Sequence, residues 1–207
     1  PNVATDLNNL ATLLADTNRP AEADPLYRRA LAIREASYGE EHPMVANVLS
    51  NLAQLLKDTN RQAEAEPLMR RVLAIDEASY GKDHLNVARD LNNLARLLAD
   101  TKRPAEAEPL VRRVLAITEL SYGKDHPQVA RCLNNLAGLL KDTNRYLEAE
   151  PLMRRAIEIV AEFSRQTGHE HPRLRVAMNN YGKLMMEMGF SEAEAIDKLR
   201  KLAPELF

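Results

Sequence analysis

The sequence has few of the residues on which most chemical sites depend. Of its 207 residues, only 7 are glycine and one is cysteine. No phosphate-binding glycine loop and no catalytic triad pattern can be recognised. The single cysteine, Cys132, excludes a disulfide within the chain, and with no base nearby in sequence it indicates packing rather than nucleophilic chemistry. We therefore expect a protein that is not an enzyme and has no cofactor.

An excess of charge of one sign and long apolar segments are also missing. The net charge is −2, with 28 basic against 30 acidic residues, so the basic footprint of a nucleic-acid-binding protein is absent. No apolar run approaches the roughly 18 residues needed to cross a bilayer. We expect neither a nucleic-acid partner nor a membrane partner, and we expect a cytoplasmic location.

What the sequence does contain is one unit repeated every 42 residues. Aligning Pro43–His84 with Leu85–His126 gives 30 identities in 42 positions. The segment LNNLA recurs, with small changes, at Leu7, Leu49, Leu91, Leu133 and Met178. A regular period of this size predicts a solenoid, in which each unit buries its apolar face against its neighbours.

The copies divide the chain into five repeats within a single domain over residues 1–207. We place them at approximately 1–42, 43–84, 85–126, 127–171 and 172–207. The chain begins at a repeat boundary, with Pro1 aligned to Pro43, and we expect it to be a fragment of a longer protein. The fifth repeat departs from the others: Ser164–Gln166 are read as an insertion before it, and its second helix, about Ser191 to Leu202, is short, as in a terminal cap.

Each repeat predicts two amphipathic helices. In the first repeat, apolar residues at helical spacing predict helix A from Val3 to Asp16 and helix B from about Pro20 to Ser37. Asn18 lies between them and can adopt the left-handed conformation that ends a helix. Alanines are expected where the two helices cross, because they let the backbones approach closely. These alanines are Ala11, Ala53, Ala95 and Ala137 on helix A, and Ala23, Ala65, Ala107 and Ala149 on helix B.

Histidines recur once per repeat at His42, His84 and His126. Residues one repeat apart in a solenoid are too distant to share a metal ion, so we predict a helix cap or a packing role. His169 and His171 are closer together, but no cysteine or carboxylate spacing completes a ligand set. We expect no metal site.

The alternation of large and small residues resembles the tetratricopeptide repeat. The positions that carry the resemblance are Leu7, Leu10, Ala11 and Leu14 on helix A, and Ala23, Tyr27 and Ala30 on helix B. The 42-residue form, with LNNLA, AEAEPL and YGKDHP, resembles kinesin light chains and their prokaryotic relatives. The resemblance implies an all-α, right-handed superhelical solenoid of about five helix-turn-helix repeats that binds other proteins, with helix A on the concave face. Kinesin light chain repeats recognise short peptides with a tryptophan among acidic residues.

A row of asparagines on helix A is the first part of the candidate site. Each precedes the second large apolar residue of its helix: Asn9, Asn51, Asn93, Asn135 and Asn180. A side-chain amide carries both a donor and an acceptor, so such a row could hold an extended peptide backbone. Arrays that resemble this one use asparagine ladders in that way. The alternative is that these amides bond a neighbouring helix or remain solvated.

The positions around this row differ between copies and form a second part of the site. The positions represented by Thr5, Asn8, Asn9, Thr12 and Ala15 carry no acidic residue in any copy and six basic ones. The basic residues are Lys57, Arg89, Arg96, Arg131, Lys141 and Lys183, and Asn92, Asn134 and Gln54 complete the predicted peptide-binding set. Such a row favours an acidic peptide. The acidic residues that end each helix A could neutralise it, for instance through Asp58 with Arg61.

Two other functions remain open from the sequence. The ends of the array could stack on another copy, which would make the protein a self-associating structural solenoid. Alternatively, the repeats could form a regulatory or sensor domain of a larger signalling protein.

Overall fold

The computed structural model describes residues 2–204, which form ten helices and no strand. In chain order these are α1 (Asn2–Asp16), α2 (Pro20–Tyr38), α3 (Pro43–Asp58), α4 (Gln62–Tyr80), α5 (Leu85–Asp100), α6 (Pro104–Tyr122), α7 (Pro127–Asp142), α8 (Tyr146–Thr167), α9 (Leu174–Glu187) and α10 (Glu192–Leu202). Odd-numbered helices are helix A of successive repeats and even-numbered ones are helix B. The outer limits of the predicted domain, residues 1 and 207, lie outside the described residues.

The helices group into two compact units. An N-terminal unit ends at Arg103 and contains α1–α5, and a C-terminal unit begins at Pro104 and contains α6–α10. The expectation of one domain with five repeats at the stated limits stays a prediction. The helix bounds expected for the first repeat are confirmed to within one residue at each end.

Each hairpin turns through a residue with positive φ. Asn18, Asn60, Lys102 and Asn144 have φ values of 60°, 59°, 61° and 59°. An asparagine tolerates this conformation better than most residues, since its short polar side chain can bond locally. In the first turn the Arg19 N–H then donates to the Leu14 carbonyl at 2.8 Å, which ends α1. The role predicted for Asn18 is confirmed.

Small side chains let the helices approach closely. All eight alanines predicted at the helix crossings are buried. In the N-terminal unit Val45 and Leu49 of α3 form a core cluster with Val72 and Ile75 of α4, and Leu31 of α2 packs against it. The core of this unit is therefore built from helix A of one repeat between the helices B on either side.

The recurring histidines begin the A helices. The Nδ1 atoms of His42, His84 and His126 each accept a hydrogen bond at 3.1 Å from the backbone N–H two residues later. Their rings stack on Tyr38, Tyr80 and Tyr122 with centroids 4.9, 5.0 and 4.7 Å apart. The predicted helix-cap role is confirmed, and it fixes the entry of the chain into each new repeat.

Arginines before the B helices link neighbouring repeats. Arg61 precedes α4 and binds both Glu64 of its own repeat and Asp24 of the repeat before. Arg103 repeats the backward contact to Glu66 at 2.7 Å, and Arg145 repeats it to Glu108. Bonds from these arginines lower the pKa values of Glu66 and Glu108. The Glu-rich AEAE segments are thus structural partners of these arginines.

The residues of the predicted insertion, Ser164–Gln166, lie at the end of helix α8 in the fourth repeat. Helix α8 has 22 residues, whereas α2, α4 and α6 have 19, so the extra residues extend helix B instead of forming a loop. Ser164 is buried within this extension and accepts a bond from the His171 N–H at 2.9 Å. Helix α10 is short, as expected, and begins with a capping box formed by Ser191 and Glu194.

The first helix leaves part of its apolar stripe uncovered. Leu10 of α1 is 47% exposed, whereas Leu52, at the same position of the next repeat, is 1% exposed. Val3 and Leu13 are likewise exposed, and their equivalents Val45 and Leu55 are buried. No helix among residues 2–204 combines the length and apolar character needed to span a membrane.

Candidate peptide-binding surface

The asparagines predicted to bind a peptide lie on the A helices, and two of them, Asn51 and Asn180, donate to an asparagine of a neighbouring A helix. Asn51 Nδ2 donates to Asn8 Oδ1 at 3.0 Å, joining α3 to α1 in the N-terminal unit. In the C-terminal unit Asn180 Nδ2 donates to Asn134 Oδ1 at 3.1 Å, joining α9 to α7. For Asn51 and Asn180 the structure therefore shows the neighbouring-helix bond that the sequence left as an alternative.

These bonds use only part of the hydrogen-bonding capacity of the row. A side-chain amide has two N–H donors and a carbonyl oxygen with two lone pairs, and each amide–amide bond uses one donor and one lone pair. Asn9 and Asn135 are exposed, and Asn92 and Asn93 are half-buried. Asn51 and Asn180 are thus each held in position by one bond that uses one of their two side-chain N–H groups.

Half of the six predicted cations are paired with acidic residues. The Lys57 Nζ atom lies 3.6 Å from Asp100 Oδ2 at the end of the next A helix. The Lys141 Nζ atom likewise lies 3.1 Å from Glu187 Oε1 at the end of the A helix that follows it. Arg89 contacts Asp90 at 3.1 Å and Asp76 at 3.5 Å. The acidic residues at the ends of the A helices neutralise part of the row, as the sequence suggested.

The specific pair suggested for this neutralisation is wrong. Arg61 does not bind Asp58; its guanidinium binds Glu64 and Asp24 on the side of the B helices. Asp58 instead accepts a bond at 2.7 Å from Gln54, one turn earlier on α3. The chain reverses direction between Asp58 and Arg61, so their short separation in sequence does not bring their side chains together.

The other three cations are available to a ligand. Arg96 on α5, Arg131 on α7 and Lys183 on α9 are exposed. None of them forms an ion pair with a carboxylate of residues 2–204. One of these cations lies on the N-terminal unit and two lie on the C-terminal unit.

A polar cavity of about 410 Å³ opens among α3, α4 and α5. Its walls include Asn47, Ser50 and Gln54 of α3, Asp76 of α4, and Arg89 and Asn93 of α5. All but Asp76 belong to the positions that the comparison of repeats marked as variable or as a recurring amide. The structure therefore brings together residues that the sequence placed on separate repeats.

At the junction of α4 and α5 lie two buried carboxyl groups that the sequence did not identify as a pair, and one of them, Asp76, lines this cavity. Asp76 and Asp90 are each 4% exposed. Burial raises the pKa of Asp90 to about 7, the Arg89 guanidinium opposes the rise, and the Asp76 carboxyl adds to it. The only signal in the sequence was that Asp90 replaces the apolar Val48 of the preceding repeat.

The same junction carries other residue pairs in the other repeats. The buried Arg34 and Val48 occupy it one repeat earlier, and Thr118 and Cys132 occupy it one repeat later. In the later pair the Cys132 Sγ lies 3.4 Å from the Thr118 Oγ1. Cys132 is buried there, which agrees with the packing role predicted for it.

Comparison with known structures shows that the architecture is shared with other repeat proteins. A putative kinesin light chain from Podosopora anserina with nearly identical TPR-like repeats matches 98% of this chain and 95% of its own, at 22% identity and a TM-score of 0.80. BtubC (BKLC) from P. vanneervenii matches 97% of this chain and 79% of its own, at 25% identity and a TM-score of 0.76. The MamA protein matches 98% of this chain and 91% of its own, at 15% identity and a TM-score of 0.65.

The sequence itself matches a family model over most of its length. No curated protein sequence matches the chain significantly. The model described as tetratricopeptide repeat matches residues 2–78, 63–119 and 91–162. These matches span the first four A helices together with their hairpins, in agreement with the all-α repeats seen in both units. The chain therefore belongs to the tetratricopeptide repeat family, and its structure is similar to those of kinesin light chain-like members.

Proposed function

We propose that this chain is a cytoplasmic, non-enzymatic adaptor that binds an extended acidic peptide along its A helices. Tetratricopeptide repeats are in general scaffolds for protein–protein interaction. The observation that carries the proposal is the row of side-chain amides, which recurs in every repeat and in which Asn51 and Asn180 each use one N–H in a bond to a neighbouring amide. A peptide main chain presents one N–H and one C=O per residue, and amides are complementary to both.

The exposed cations support an acidic ligand. Arg96, Arg131 and Lys183 lie on the A helices, and none is neutralised by a described carboxylate. A guanidinium or ammonium group at a binding surface favours a partner of opposite charge and accelerates its association. The acidic preference therefore rests on three cations, because Lys57, Arg89 and Lys141 are already paired.

Removing two amides of the row tests the proposal. Replacing Asn93 and Asn135 together by alanine should weaken binding of an acidic peptide at least about tenfold, since hydrogen bonds contribute about 1 kcal/mol each. The ligand is first selected from an array of acidic and tryptophan-containing peptides, and its affinity is then measured by fluorescence anisotropy. Circular dichroism should show unchanged helicity.

A matched variant distinguishes a specific role of the amide row from a general effect of removing any two side-chain amides. Gln62→Ala combined with Gln166→Ala removes two side-chain amides from the B helices α4 and α8 and should leave the affinity unchanged. Equal affinities for the wild type and the Asn93/Asn135 double variant would refute the role of the row. The absence of any binder in the array would refute the acidic-peptide function itself.

A second candidate function is self-association through the ends of the array. Leu10 and Leu13 of α1 are exposed, although their counterparts in α3 are buried. In the C-terminal unit an apolar cavity of about 560 Å³ lies between α9 and α10, with Met186 and Ile196 on its walls. Exposed apolar residues at an end of a repeat array are suited to pack against a second copy of the chain.

Light scattering over a range of concentrations tests this second candidate. If the ends associate, the mean mass should rise with concentration, and Leu13→Glu should restore a constant monomeric mass because a carboxylate cannot be buried in an apolar contact. Leu147→Glu, which changes an exposed leucine of α8, serves as the control and should leave the association intact. A monomeric mass at every concentration would rule self-association out. The third possibility, a regulatory domain of a larger protein, stays a prediction that the full reading frame would test.

A further inference from the structure

A small cavity lies behind the polar cavity of the N-terminal unit. Its volume is about 30 Å³, and its walls are Ser50, Gln54, Met69, Val72, Asp90 and Asn93. Ser50, Gln54 and Asn93 also line the larger cavity of about 410 Å³, so the two are adjoining spaces. The small cavity therefore lies next to the larger one, with three side chains forming the wall of both.

The carboxyl group of Asp90 is incompletely satisfied at this cavity. Its Oδ1 accepts a bond from Arg89 Nε at 3.1 Å, but no N–H or hydroxyl group of the described residues donates to its buried Oδ2. A buried acceptor without a partner is costly, and native proteins almost always satisfy such an atom. The unpartnered oxygen belongs to a side chain that is 4% exposed and that forms part of the cavity wall.

The charges around the cavity favour a cation. Asp76 and Asp90 face one another across the junction of α4 and α5, and Arg89 is the single cation that contacts them among residues 2–204. From α3, only the neutral Ser50 and Gln54 line the small cavity. With both carboxyl groups ionised, one guanidinium leaves a net negative charge, so a second positive charge would balance the cluster.

The size of the cavity selects among cations. A space must offer at least about 10–15 Å³ to hold one water molecule, so about 30 Å³ admits a group of water size but not a planar guanidinium. A primary ammonium group is compact, positively charged and carries three donors. Its donors can meet Asp90 Oδ2 and the oxygens of Ser50, Gln54 or Asn93, while Met69 and Val72 can pack against the attached methylene groups.

We propose that this cavity is a binding site for a primary ammonium group, supplied by a lysine side chain of a bound peptide. The larger cavity would hold the methylene chain of that lysine. The choice of a peptide lysine as the source rests on the proposed function, whereas the ammonium site itself stands on the cavity, the unpartnered oxygen and the charge balance. The favoured ligand then carries one lysine among its acidic residues.

Titration with n-butylammonium chloride tests the site without any peptide. Nuclear magnetic resonance should show saturable shifts of the side-chain amides of Gln54 and Asn93 and of the carboxyl carbon of Asp90. In Asp90→Asn the apparent affinity should fall at least about tenfold, because a charge-assisted bond is replaced by a neutral one. Two reference compounds, n-butanol and tetramethylammonium chloride, lack either the charge or the N–H donors and should produce no saturable shifts.

The pH dependence of this titration provides a second readout. The carboxyl group of Asp90 must be ionised to receive the cation, so binding releases a proton and the affinity should increase between about pH 6 and about pH 8. The same titration in Asp90→Val, which copies Val48 of the preceding repeat, should show neither the shifts nor the pH dependence.

Two sets of outcomes separate the site from the proposed function. Equal shifts with tetramethylammonium, equal affinity in Asp90→Asn, or no saturable shift at all would each overturn the ammonium site. If n-butylammonium binds but acidic peptides do not, the site survives and the peptide-binding function fails. If acidic peptides bind equally well with lysine or with norleucine at every position, the site does not select the peptide and the lysine assignment is overturned.

Discussion

Replacing Leu94 by alanine should lower the free energy of unfolding by about 2–5 kcal/mol. Leu94 lies in α5 and is 1% exposed, so its truncation removes packed methyl groups and leaves a cavity between tightly spaced helices. Because each repeat is stabilised mainly by its neighbours, the loss should also weaken the packing of α5 against the preceding repeat. Urea denaturation followed by circular dichroism measures the effect.

Leu10→Ala is the matched control for this prediction. Leu10 occupies the same position of the repeat in α1 but is 47% exposed, so its truncation should cost less than about 1 kcal/mol. The two variants make the same chemical change at the same place in the repeat, and they differ in how deeply the leucine side chain is buried. Equal losses in the two variants would contradict this difference in burial.

Replacing Asp90 by valine should raise the stability of the protein by about 1–3 kcal/mol at about pH 8. The substitution removes a buried carboxylate with an unpartnered oxygen and leaves Asp76 paired with Arg89. Valine fits this environment, because Val48 is buried at the equivalent position of the preceding repeat. Urea denaturation at the same pH compares the variant with the wild type.

The gain from Asp90→Val should depend on pH in a defined direction. The pKa of Asp90 is about 7 in the folded protein and near the ordinary value of 3.8 in the unfolded chain, so the folded state binds more protons between these values. The contribution of this group to wild-type stability therefore falls as pH rises from about 4 to about 7 and is constant above that range. The advantage of the variant should be largest at about pH 8 and should shrink towards about pH 5.

Asp6→Val provides the reference for the gain in stability. Asp6 has the same place in the repeat as Asp90, but it lies exposed on α1. Its replacement removes no buried carboxyl group and should not stabilise the protein by the same amount. If Asp90→Val destabilised the protein at alkaline pH, the two buried carboxyl groups would have to be a source of stability, and the unpartnered oxygen of Asp90 would not be costly.

The fold could be predicted from the sequence because the same pattern of apolar, turn and cap residues recurs in the repeats. Apolar spacing located the ends of α1 and α2 to within one residue, and Asn18 adopts the expected left-handed conformation. The histidine caps follow from their recurrence, and His84 shows the bond directly. These features depend on contacts between residues that are close in sequence, and local sequence describes such contacts well.

Features that depend on contacts between repeats were harder to predict. The bond between Asn51 and Asn8 joins residues 43 positions apart, and the sequence left it as one of two alternatives. Arg61 was assigned to Asp58 from short separation, although its side chain reaches back one repeat to Asp24. The acid pair of Asp76 and Asp90 was missed, because helical periodicity shows which side of a helix is apolar but not which residue of another helix faces it.

The junction residues also constrain how an array of this kind can change in length. The arginine before each B helix reaches an acidic residue one repeat earlier at Arg61, Arg103 and Arg145 alike, so a unit can be duplicated or lost in the gene without removing that contact. The junction of Asp76 and Asp90 is not interchangeable in this way. Loss of residues 43–84 would place Arg34 against Asp90, and duplication of the same unit would place Asp76 against a copy of Val48. This junction therefore depends on the order of the repeats, whereas the backward contacts of the arginines do not.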